Sequence, residues 1–308
     1  MALELNTADI TEKRPWALRS LPPFPAVALQ LLSLLDNPDV PLKKIVDLLR
    51  MDPALSAELL RVANSALYGF VQRIDTVNHA VMILGAENVK RLALTVSLSR
   101  FAARFLRFEN VRSCWHHVIA TAILAEQLAV DLNIGKDRAY TAGLLHDVGR
   151  LALMASYPEE YDNLIAVARE QSFDQLECER QLFEIDHCAT GQWLAQHWNL
   201  PTDYCAAIAQ HHQDGPVEGT LTELVRCACR SADALGFSGL RLPSQRTIPE
   251  VLAGLPWRIR NAPPPTSKLH ATSCAAPSPP STPRVSPNVV PRRPSCRRYQ
   301  AMAGLRVL

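Results

Sequence analysis

Apolar positions recur along most of this chain at intervals of three and four, the spacing that gathers them on one side of a helix. Leu21-Pro-Pro-Phe-Pro25 reads as an extended stop, because proline cannot join a helix interior. The apolar run Val27 to Leu35 follows and closes at Asp36-Asn37-Pro38. Pro41 suits the first turn of a helix, and Ile45, Leu48 and Leu49 then form a stripe. Asp52-Pro53 sets an N-cap before a first-turn proline, with Leu55, Leu59, Leu60 and Val62 beyond it. A polar break at Asn64-Ser65 and a turn at Tyr68-Gly69 come next. Thr76 can cap a short helix with Val77, Val81 and Leu84 inward and Gly85 as its stop. Glu87 to about Phe108 carries Val89, Leu92, Ala93 and Val96. Trp115-His116-His117-Val118 opens a helix running to Leu128. His187 starts another with Asp186 as its cap, and Gly191, one turn on, leaves room for close approach of backbone or ligand. A helix from Pro201 ends in His211-His212, and one from Thr220 to Leu235 ends at Gly236. No stretch alternates with the period of two that marks a half-buried strand. The expectation is an all-α fold.

Composition adds one contrast. The chain has 308 residues, enough for one large or two modest domains, and 48% of them are hydrophobic. Seven of the 32 Lys/Arg, and none of the 30 Asp/Glu, fall after residue 260. The body therefore carries a formal −5 and the tail +7. Ten of the last 48 residues are proline. Such a segment buries too little apolar surface to offset its ordering entropy, so 261–308 is expected to be a disordered Pro/Arg-rich tail. A short helix is expected within 241–260, over Pro249 to Arg260. An acidic body offers no electrostatic footing for nucleic acid. Any such contact falls to Arg292-Arg293 and Arg297-Arg298.

The eight cysteines are scattered, the closest pair being Cys227-x-Cys229, and read as small core residues of a reduced cytosolic protein. Met1 to Pro15 has Glu4, Asp9 and Glu12 and no apolar leader core. No uncharged apolar run approaches the ~18–20 residues of a membrane span. A cytoplasmic protein is expected.

The candidate chemistry centres on Ala139-Tyr-Thr-Ala-Gly-Leu-Leu-His-Asp-Val-Gly-Arg150. His146-Asp147 puts an imidazole beside a carboxylate. On a helix, neighbours diverge by about 100°, so the two can flank one small ion.

Four motifs in order carry a resemblance: Leu21-Pro-Pro-Phe-Pro, Asp52-Pro-Ala-Leu-Ser, Arg61-Val-Ala-Asn-Ser-Ala-Leu-Tyr-Gly and Ala80-Val-Met-Ile-Leu-Gly-Ala-Glu-Asn-Val. They resemble the front half of the HDOD (HD-related output domain) family of bacterial regulatory modules, and the likeness runs over roughly residues 20–240. It implies a helical fold related to the HD phosphohydrolases, with an N-terminal subdomain at 20–105 after a lead-in at 1–19, and an HD-like subdomain at 106–240. It implies metal ligands at His117, His146, Asp147 and Asp233, and further ones at His187, His211 and His212, where binuclear relatives place theirs. Nitrogen and oxygen donors in that mixture suit Mn²⁺ or Fe²⁺ better than a closed zinc site. His116 and His197 are read as solvent-facing or rim residues. Arg150 stands where HD-GYP enzymes carry lysine; it can clamp phosphate but cannot donate a proton at neutral pH. The Gly-Tyr-Pro motif after His211-His212 is missing, which argues against cyclic di-GMP hydrolysis. The resemblance thus implies a signalling module working through protein contacts or a small nucleotide ligand. The alternative is a metal-dependent phosphohydrolase of a nucleotide or cyclic nucleotide.

Overall fold

A computed structural model describes residues 15–238, apart from 22–23, 35–39, 66–68, 104–107, 131 and 215–219. The helix expected at 249–260, the tail after 260 and most of the lead-in lie outside the described residues. Among the described residues every regular element is helical, as the apolar spacing predicts. No described helix is long and apolar enough to cross a membrane.

After a 3₁₀ turn at Trp16–Ser20, four short helices pack on a longer one: α1 (Ala26–Leu32), α2 (Leu42–Arg50), α3 (Pro53–Ala63), α4 (Val77–Leu84) and α5 (Ala86–Ala103). Their ends follow local chemistry. Asp52 Oδ1 accepts the Leu55 N–H at 2.9 Å, and Thr76 Oγ1 accepts the His79 N–H at 3.1 Å. Gly85 ends α4 at φ +81°, a conformation without penalty only for glycine. Pro41 sits one residue before α2, as its N-cap. The run expected to continue to Leu35 stops at Leu32, where the Ser33 hydroxyl donates back to the Gln30 carbonyl at 2.7 Å. Leu31, Ile45, Leu49, Leu55, Leu59, Val81 and Val89 meet in one apolar core. Each fully buried aliphatic side chain there stabilises the fold by about 1.5–3 kcal/mol.

Asn64 closes the loop that follows α3. Its Nδ2 donates to the carbonyls of Leu60 and Ile74, each at 2.7 Å, and its Oδ1 accepts the Ile74 N–H at 2.8 Å. The polar break in the sequence is thus a side chain pairing with a distant backbone.

The second half is built round a hairpin. α6 (Glu109–Leu128) begins ahead of Trp115, and α7 (Lys136–Leu145) returns along it. The approach is close at Gly143, where a Cβ would stand 2.8 Å from Ala122 Cα. Beyond come α8 (Val148–Ser156), α9 (Pro158–Gln171), α10 (Gln175–Phe183), α11 (His187–His197), α12 (Thr202–Gln210) and α13 (Thr220–Ala234). α13 lies against α6, α7 and α12, and α11 contacts both α8 and α12. α8 and α11 meet backbone to backbone: a Cβ on Gly149 would run into the His187 carbonyl oxygen and the Gly191 nitrogen. α5 contacts α7 as well as α1, α3 and α4. The Arg91–Glu126 ion pair, at 2.6 Å, ties it to α6.

Candidate metal centre

The helix ends of the second half deliver polar side chains into an otherwise apolar interior. His146 and Asp147 do not lie within a helix, as expected from the sequence, but at the junction where α7 stops and α8 starts. His117 projects from α6, and His187 opens α11, whose cap is Asp186 Oδ1 on the Ala189 N–H at 2.8 Å. His211 and His212 fall in the turn just after α12 rather than in its last turn. His146, Asp147 and His211 are fully buried, and His117, His187 and Arg150 are nearly so. Charged and polar groups reach such burial only when paired or when they hold a metal.

Four imidazoles share one orientation. His117 Nδ1 donates to the Phe237 carbonyl at 2.8 Å, and His146 Nδ1 to the Gly143 carbonyl at 2.6 Å. His211 Nδ1 donates to the Ile208 carbonyl at 2.8 Å, and His187 Nδ1 to Glu179 Oε2 at 2.7 Å. Each Nε2 then points inward, toward Asp147. Its Oδ1 is 3.4 Å from both His187 Nε2 and His211 Nε2; its Oδ2 is 3.8 Å from His146 Nε2 and 4.0 Å from His117 Nε2. An outward partner on one ring nitrogen is the arrangement that fixes a ligating histidine's tautomer and aim.

Five of the other six residues expected as ligands, His212 included, therefore gather around Asp147. Asp233 is near but placed differently: its Oδ1 is 3.4 Å from His117 Nδ1, on the outward side of that ring. One turn earlier on α13, Cys229 Sγ lies 3.5 Å from His117 Nε2 on the inward side. His116 is exposed, and His197 stacks on Trp193 at the surface.

Electrostatics follow from burial and from Arg150. Burial alone would raise the Asp147 pKa, but the Arg150 guanidinium and then the neighbouring histidines hold it well below the usual carboxylate value. Burial, with His211 and His117 adding to it, keeps His146 neutral by pushing its pKa well down. Arg150 reaches further than Asp147. Its Nη1 is 3.2 Å from Asp147 Oδ2, and its Nη2 lies 3.1 Å from His187 Nε2 and 3.3 Å from His212 Nε2. The side chain expected to offer itself to a phosphate is buried and spent on the pocket.

Glu179 was not singled out by the sequence. It is fully buried and takes hydrogen bonds from the His187 N–H and Nδ1, from Gln175 Nε2 and from the Tyr161 hydroxyl. The signal was present: Glu179 stands one turn before Phe183 on the buried face of α10, where an apolar residue belongs.

The donor sets fit a divalent cation, unequally. The ligand atoms of Asp147, His187, His211 and His212 lie within 4.8 Å of one another, and so do those of His117, His146 and Cys229. Asp147 Oδ2 is met by Arg150 Nη1 at 3.2 Å, but the buried Asp147 Oδ1 and His211 Nε2, 3.4 Å apart, make no hydrogen bond. Such orphaned acceptors mark a place for a cation. In the first set the Arg150 guanidinium already stands between His187 and His212. In the second nothing intervenes.

The profile of the HDOD domain matches residues 21–214. The chain belongs to the HDOD family. An uncharacterised protein of Treponema pallidum is 30% identical to this HDOD chain over 215 residues, 68% of the chain and 41% of that protein. The chain thus spans about two fifths of that relative's length. A crystal structure of an HDOD domain protein of unknown function from Geobacter sulfurreducens is 25% identical, with a TM-score of 0.64. The likeness covers 79% of this chain and 80% of that one. A Shewanella amazonensis protein provisionally assigned as a phosphohydrolase is also 25% identical, with a TM-score of 0.58, over 72% of this chain and 82% of its own.

Proposed function

We propose that this HDOD chain is a regulatory module that acts through protein contacts or by sensing a small ligand, and that it retains a metal pocket as a structural element. The observation that carries this reading is Arg150, whose guanidinium lies inside the histidine cluster on Asp147, His187 and His212. A phosphohydrolase needs an open place where metal, water and phosphate meet. Here the candidate ligands of the two donor sets are buried apart from the half-buried His212, and one of the sets is answered by the protein's own cation. Two surface clefts lie elsewhere, one beside Gln192, Thr202 and Gln210 and the other beside Leu60, Phe70 and Arg73. A divalent ion, when bound, would supply positive charge to Asp147 and lock the inward imidazoles. Asp147 joins the α7–α8 junction to α11 and the turn after α12, so the pocket's state is felt by several helices at once. That coupling is what a signalling module needs, and protein partners reading those helices fit it.

The second reading, a metal-dependent phosphohydrolase of a nucleotide or cyclic nucleotide, is favoured by the inward His/Asp cluster and by the likeness to the Shewanella protein. Purified protein supplied with Mn²⁺ or Fe²⁺ and a panel of linear and cyclic nucleotides separates the two. The expected result is no turnover above that of His146→Ala. Turnover that His146→Ala abolishes would overturn the regulatory reading in favour of the enzyme.

A further inference from the structure

His117 and His146 face each other through their Nε2 atoms at 3.2 Å. Each ring has its Nδ1 hydrogen on a backbone carbonyl, Phe237 for one and Gly143 for the other. In that tautomer both Nε2 atoms carry lone pairs, so two acceptors meet head-on in a fully buried place. Cys229 Sγ stands 3.5 Å from the same His117 nitrogen and is itself 1% exposed. Asp147 Oδ2, whose other neighbour is Arg150 Nη1 at 3.2 Å, closes the fourth side at 3.8–4.0 Å from the two imidazoles. Two nitrogens, a sulfur and a carboxylate oxygen thus converge; between the nitrogens and the sulfur the only hydrogen is the thiol's, and the carboxylate oxygen is shared with Arg150.

We infer that His117, His146, Asp147 and Cys229 form a site for one thiophilic divalent cation, of the zinc class, with Asp233 outside it. The donor set decides the class: a thiolate with two imidazoles selects zinc or its soft neighbours, whereas manganese prefers oxygen. The count of one follows from Arg150, which fills the place beside His187 and His212 where a second ion would stand. Asp233 and the Phe237 carbonyl act from behind His117, on Nδ1, and hold the ring's aim. On binding, the Cys229 S–H bond breaks, its electron pair goes to the metal, and the proton leaves to solvent.

This inference deepens the reading of a retained pocket, and the test separates the two. X-ray absorption at the zinc edge of the wild-type chain loaded with Zn²⁺ should show one sulfur scatterer at about 2.3 Å among nitrogen and oxygen neighbours. Equilibrium dialysis should give one tight ion per chain. The Co²⁺ form should show a thiolate charge-transfer band, absent in Cys229→Ser and kept in Cys188→Ser, whose sulfur lies on the outward, Nδ1 side of His211 at 4.0 Å. Zinc should bind Cys229→Ser more than about tenfold more weakly. A shell of nitrogen and oxygen alone, or two tight ions per chain, would overturn the inference while leaving the pocket reading in place. Folded wild-type protein that takes up neither Zn²⁺ nor Co²⁺ would end both.

Discussion

Gly149 and Gly191 touch through their backbones: a Cβ placed on Gly149 would lie 2.9 Å from Gly191 Cα and closer still to its nitrogen. This contact sets the distance between α8 and α11, and with it the 3.4 Å between Asp147 Oδ1 and His187 Nε2. A Gly149→Ala chain must push one helix off the other, since all three colliding atoms, the His187 carbonyl oxygen among them, are backbone. The expected loss is about 3 kcal/mol or more. Gly191→Ala meets the Ile208 Cγ2 methyl at 2.6 Å instead. A side chain can shift, so about 1–3 kcal/mol is expected. Urea titration of the two variants checks both the sizes and their order.

Removing Arg150 leaves Asp147 buried without its cation. Arg150→Ala is expected to lose about 3–5 kcal/mol of stability in the absence of metal. Adding divalent metal should recover part of that loss, and should raise the melting temperature of the variant more than that of the wild type. Thermal unfolding with and without Mn²⁺ or Zn²⁺ measures both. An Arg150→Ala chain as stable as the wild type in chelator would contradict the ion pair's role.

Glu179 answers four donors at once. Glu179→Gln replaces one acceptor oxygen by an NH₂ that meets a donor instead. A cost of about 1–3 kcal/mol is expected, together with a change in the ring signals of His187 in a ¹⁵N-labelled sample. Unaltered His187 resonances would show that the ring's orientation does not depend on this carboxylate.

Asp52 caps α3 and pairs with Arg100 at 2.8 Å. Asp52→Ala should cost about 1 kcal/mol near neutral pH. Partial burial works to raise the Asp52 pKa, but the Leu55 N–H and Arg100 prevail and set it below the ordinary 3.8. A depressed carboxyl pKa means stability that is present above 3.8 and lost as pH falls through the lower folded value. The gap between wild type and variant should therefore be constant above about pH 5 and close in more acidic solution, as urea midpoints across pH would show.

Asn64→Ala would strip the Ile74 N–H and carbonyl of their partners, and Ile74 is 1% exposed. About 2 kcal/mol of destabilisation is expected, with faster proteolysis in the loop that follows α3.

The helices of the front half were legible because their signals are local. Asp52-Pro53 and Thr76 cap within a few residues, and Gly85 stops α4 within the same turn. The histidines and Asp147 were legible only as a pattern in order, and what brings them together is long-range contact between α6, α7, α8 and α11. The family resemblance singled out Asp233, which reaches His117 from α13 on the Nδ1 side of the ring. Cys229, one turn before it, was read as core, which by burial it is. Arg150 was visible as a substitution, yet its inward course depends on where His187 and His212 arrive. Glu179 escaped because its partner lies beyond the left-handed turn at Glu184, φ +62°, which no local pattern announces.

A cation that belongs to the polypeptide has no dissociation constant. Arg150 cannot be chelated, diluted or exchanged, and its effective concentration beside Asp147 is set by the fold alone. The half of the pocket it fills is complete as soon as the chain has folded, in any supply of trace metal. In the proposed reading, only the His117 side would answer to added metal.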